Sequence, residues 1–126
     1  MFPGRSTQNV LLCLSAIIVS AVAATSAAAH AILLDSRPAL QGTVVGPDVP
    51  LKLRFNVRID LARSRLTLVL PDGSLQALEI DKEAPPDTIS SQATGLQPGT
   101  YRLRWQVLAS DGHITRGEIP FAVTKP

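Results

Sequence analysis

The sequence predicts an all-β protein: a seven-stranded antiparallel sandwich of immunoglobulin-like type that follows a cleaved leader. Three features lead there. Beyond residue 29 the chain is a succession of short runs in which apolar and polar residues alternate. Pro, Gly and Asp separate the runs. After the leader, no window holds a helical period longer than two turns. Many short strands, each with one apolar face, bury those faces by stacking two sheets.

The leader comes first. Arg5 and the amino terminus form a short positive start, and an apolar run over residues 10–24 follows, broken only by Ser15 and Ser20. A spanning helix needs roughly 20 apolar residues, so the run is short for an anchor. Ala27, Ala28 and Ala29 then supply an A-x-A pattern, which completes a secretory signal peptide. Two cuts fit the small-residue rule, after Ala23 and after Ala29, and only the second makes His30 the first residue. The expected division is a signal peptide over 1–29 and one small domain over 30–126, in the periplasm. Cys13 lies inside the apolar run without a lipobox, so it is not read as a lipidation site. The single Cys and single Met both fall in the leader, so the domain has no disulfide framework despite its export. Lys and Arg number 12 against 10 Asp and Glu, and Arg5 is the one such base in the leader. The domain is therefore within one charge of neutral. A sequence pI of about 9.1 reflects near-even balance, not a basic face, and nucleic acid is not an expected partner.

The strands follow in order. Residues 31–34 are short and apolar. In 49–57, Leu51, Leu53 and Phe55 face one way, and Lys52, Arg54 and Asn56 the other. In 64–70, Leu66, Leu68 and Leu70 share a face, and "PDGS" at 71–74 turns the chain into 75–80. A polar, Pro-containing link at 81–87 precedes a weak strand at 88–93, and "GLQPG" at 95–99 is the next turn. The clearest strand is 100–108, where Tyr101, Leu103, Trp105 and Val107 alternate with Arg102, Arg104 and Gln106. Residues 118–123 close the set, with Ile119, Phe121 and Val123 together. Trp105 reads as core. Tyr101 reads either as a tyrosine corner or as a half-buried strand aromatic.

The chemistry sits in the loop after the sixth strand. In "SDGHIT", 110–115, Asp111 and His113 flank Gly112, which frees the backbone for both side chains to converge. Two ligands alone make a weak metal site, and most such pairs are solvated loop residues. His30 changes that. Once Ala29 is removed it offers an α-amine and an imidazole, which together close a six-membered chelate ring. With His113 and an Asp111 oxygen the set is three nitrogens and one oxygen, and tetragonal N,O coordination suits Cu(II). Strand parity lets the pieces meet. The first strand starts at the end to which the sixth returns, provided that the count is seven. Ser110 beside Asp111 and His113 is read as a loop hydroxyl and not as part of a hydrolytic triad.

The start "HAILLDSRPALQG", the strand "LRF" at 53–55, "LQPGTYRLRWQVLASDGH" at 96–113 and "GEIPFAV" at 117–123 resemble the CopC family of periplasmic copper-binding proteins. The resemblance covers nearly the whole domain. It implies a Greek-key sandwich or barrel and a Cu(II) site built from His30, Asp111 and His113. It also implies that copper is buffered or delivered, with an inner-membrane copper importer as partner. Two departures narrow this. Without Met in the domain, a thioether Cu(I) site is excluded. "FNV" after the second strand's "LR" places no carboxylate where some members have a Glu.

The expected function is thus a monomeric, non-enzymatic Cu(II) carrier with one site. Two other classes compete. A histidine-brace copper oxidative enzyme, of the polysaccharide monooxygenase kind, would use the same His30 chelate, but the domain's four aromatics (Phe55, Tyr101, Trp105, Phe121) all lie on core faces and leave no platform for a polysaccharide. An immunoglobulin-like interaction module would leave both histidines as bystanders.

Overall fold

In the computed structural model, which describes residues 30–126, the chain folds into two stacked β-sheets. The expected signal peptide over 1–29, with Cys13, lies outside the described residues. Eight strands form: β1 (Leu33–Arg37), β2 (Gly42–Val45), β3 (Val49–Phe55), β4 (Arg65–Val69), β5 (Leu75–Leu78), β6 (Thr88–Ala93), β7 (Gly99–Leu108) and β8 (Ile114–Thr124). A single 3-10 turn, Leu61–Arg63, precedes β4. One sheet has the order β1-β3-β6 and the other β2-β8-β7-β4-β5.

Period-two alternation decides the packing. β3 and β7 bury every second residue, which places Leu51, Leu53 and Phe55 against Leu103, Trp105 and Val107 from the opposite sheet. Leu53, Leu68, Leu103 and Val107 are fully buried. Trp105 is core, as expected: its ring meets Phe55 edge-on with centroids 5.2 Å apart. On β8, Gly117 stands opposite Trp105, and a side chain there would collide with the indole. Tyr101 resolves as a tyrosine corner, its hydroxyl donating to the Gln97 carbonyl at 2.7 Å.

The expected count of seven is corrected to eight by β2, yet the parity still holds. β1 pairs antiparallel with the later half of β3, from Leu33↔Phe55 to Arg37↔Lys52. Pro38 has no N–H to extend that ladder. The chain crosses to the other sheet and continues along β8, parallel to it, from Gly42↔Phe121 to Val45↔Thr124. Since β3 begins at Val49, just after β2, the segment β1–β2 climbs in one direction and switches sheets midway. β2 adds a strand without adding a reversal. The same switch closes one side of the sandwich. The other side is stitched where Asp81 N–H donates to Ser90 O at 2.8 Å.

Candidate metal centre

His30, Asp111 and His113 lie together at one end of the sandwich. The segment that leaves β3, residues 56–60, holds both halves of the site. On one side, the Asn56 backbone N–H donates to Ile32 O (3.0 Å), and the Asn56 Oδ1 accepts from Ile32 N–H (2.7 Å). With Ala31 buried in the core, this clamp fixes the chain two residues from His30. On the other side, Asp60 N–H donates to Leu108 O (2.9 Å) and Ser110 N–H to Arg58 O (3.1 Å), around an Ile59↔Ala109 bridge.

The β7–β8 connection is a tight loop. Ala109 N–H donates to His113 O and Gly112 N–H to Ala109 O, both at 2.9 Å. Gly112 has φ +88°, the left-handed region that favours glycine, so this turn requires it. Asp111 braces the same loop. Its Oδ1 accepts from His113 N–H at 3.0 Å, and its Oδ2 lies 3.0 Å from His113 Nδ1. The His113 N–H thereby holds the Asp111 carboxyl below its ordinary value, against partial burial; the His113 ring and the charge of His30 act in the same direction as the hydrogen bond. The His30 ring lies beside the His113 ring, centroids 5.0 Å apart and nearly perpendicular. His30 and His113 both remain open to solvent.

All three residues named from the sequence are thus brought to one place. They are not yet set around a common point: among the described residues, no three His, Cys, Asp or Glu side chains stand as a formed metal cluster. Both Asp111 oxygens are directed at His113. Sequence reasoning missed Asn56. "FNV" shows only that a carboxylate is absent, whereas the amide has a positive role in tying down Ile32. An Asn at the point where alternation ends was the only signal.

Solved structures share this architecture. CopC from Methylosinus trichosporium OB3b is 30% identical, with a TM-score of 0.71 over 76% of this chain and 95% of that one. PcoC, a methionine-rich copper resistance protein from Escherichia coli, is 26% identical, with a TM-score of 0.64 over 76% of this chain and all of that one (100%). Among curated sequences, copper resistance protein C of Xanthomonas campestris pv. juglandis is 30% identical across 98% of this chain and 99% of its own. The chain is of the class of β-sandwich copper resistance proteins, which are not enzymes. Its family is specific: the CopC domain matches residues 33–124, and the chain belongs to the CopC family. That match includes Asp111 and His113 and begins just after His30.

Proposed function

We propose that the exported domain is a periplasmic Cu(II) carrier with one site, made when cleavage after Ala29 frees the His30 amine. The observation that supports it most is the approach of the His30 and His113 rings to 5.0 Å at the place where Asp111 Oδ2 meets His113 Nδ1 at 3.0 Å. Two donors each about 2.0 Å from an ion and at a right angle stand about 2.8 Å apart, so a metal can replace the proton between that nitrogen and oxygen with little movement. The His30 amine and ring would complete an N3O set, which suits Cu(II). With no Met in the domain, a soft Cu(I) site has no thioether ligand. Exposed donors suit a cargo that must be handed on, and the reading includes delivery by a monomer to an inner-membrane copper importer.

The test is a Cu(II) titration of the protein beginning at His30, followed by visible absorption and electron paramagnetic resonance. One equivalent with a nitrogen-rich tetragonal signature is expected. Absence of nitrogen coupling, or no saturation at one equivalent, would overturn the proposal.

A further inference from the structure

The balanced charge of the domain conceals a segregated one. β4, β7 and β8 lie side by side, and alternation sends one residue in two to the outer face of the five-stranded sheet. Pairing sets Arg65, Gln106 and Arg116 in one row and Thr67, Arg104 and Glu118 in the next, with Arg102 beyond. Four arginines therefore share a face with one acid, contrary to the expectation that no basic face exists. Glu118 is already taken: its Oε1 lies 2.9 Å from Arg102 Nη1 and 3.3 Å from Arg104 Nε. Arg116 Nε donates to Gln106 Oε1 at 2.8 Å, and Arg65 makes no ion pair among the described residues.

Between these side chains runs a groove of about 490 Å³, lined by Arg65, Arg104 and Arg116 over Thr67 and Gln106. Arg65 and Thr67 also line a second hollow of about 540 Å³ that adds Leu61, Leu78, Ile80 and Lys82. Groove and hollow adjoin at Arg65 and Thr67, which line both, so a cationic stretch neighbours a partly apolar one. We propose that this surface, beside the β7–β8 loop that carries His113, docks an acidic protein segment bearing an apolar residue. Charge complementarity argues for the acids. The face itself already holds one carboxylate, whose Oε1 is shared by a single nitrogen from each of Arg102 and Arg104, and guanidinium groups favour carboxylate partners. The concave shape and the apolar hollow argue for a peptide over a lipid surface. A small phosphate would leave the hollow empty.

The probe is the peptide acetyl-Glu-Glu-Leu-Glu-Glu-amide, titrated into the exported protein with amide shifts read by NMR. Saturable binding below about 1 mM is expected, with shifts centred on Thr67, Gln106, Gly117 and Leu78. Arg65→Glu and Arg116→Glu should each weaken it by about tenfold or more, while Lys52→Glu on the other sheet leaves it unchanged. The Gln-for-Glu peptide should not bind. Shifts spread over all basic residues, or no saturation, would overturn the proposal. So would equal binding by inorganic phosphate or phosphatidylglycerol vesicles, or the same shifts arising from self-association without peptide. Because the assay needs no metal, its outcome is independent of the Cu(II) reading.

Discussion

Replacing Asn56 by Ala tests how the site is held. The substitution removes the 2.7 Å bond from Ile32 N–H to Oδ1 and leaves the backbone bond from Asn56 N–H to Ile32 O. A net hydrogen bond is worth about 0.5–1.5 kcal/mol, and this one is exposed, so its loss should cost about 0.5–1 kcal/mol. For a domain of this size that lowers Tm by a few degrees, at about 4–8 °C per kcal/mol. The effect on metal should be larger in proportion. Ile32 is the last clamped residue before Ala31 and His30, and loss of an outer-shell support typically costs about 10- to 100-fold in metal affinity. Competition titration with a chelator would read the Cu(II) affinity, and thermal melting of metal-free protein the stability. Asn56→Asp keeps the oxygen acceptor for Ile32 N–H and should keep the Cu(II) affinity near that of the unsubstituted protein. Unchanged Cu(II) affinity in Asn56→Ala, with Tm lowered as expected, would refute the idea that this clamp positions His30.

Gly117→Ala should destabilise the fold by about 1–3 kcal/mol, because the added methyl meets the Trp105 indole; urea unfolding followed by Trp fluorescence checks it, and an unchanged midpoint would show that the sheet yields without cost. The stability of the metal-free protein should fall in acid. Asp111 and Asp72 both have carboxyls held below the ordinary value of 3.8, Asp111 chiefly by the His113 N–H and Asp72 chiefly by the Ser74 hydroxyl. A depressed folded pKa stabilises fully above the unfolded value and is lost as pH falls through the folded one. The loss therefore begins near and below pH 3.8, and melts of the Asp72→Asn, Asp111→Asn double variant should show a flatter dependence there.

The strands that bury one face were legible because burial enforces a period of two: β3, β7 and β8 appear in the sequence as alternation. β2 was not. It is four residues long, half-exposed, and pairs parallel with a strand nearly eighty positions away, so it leaves almost no local pattern. The parity that joins His30 to His113 rested on a count of seven, and it survives because β1 and β2 are one direction of chain split between two sheets. The candidate site residues stood out in the sequence because His30 and His113 are its two histidines and Asp111 lies two positions from His113. What holds them did not, because Asn56 acquires its role only when Ile32 is folded beside it. The basic face was hidden for the same reason: counting charges cannot show that Arg65, Arg104 and Arg116 stack across three strands.

The central claim is that cleavage makes the metal site. Its most direct test is the ratio of Cu(II) affinities between protein beginning at His30 and protein beginning at Ala29. One extra residue turns the His30 amine into an amide and leaves everything else in place. A fall of about 100-fold or more is predicted, with loss of one nitrogen from the spectrum, a change of about 2.7 kcal/mol in binding free energy. Equal affinities and spectra would contradict the account.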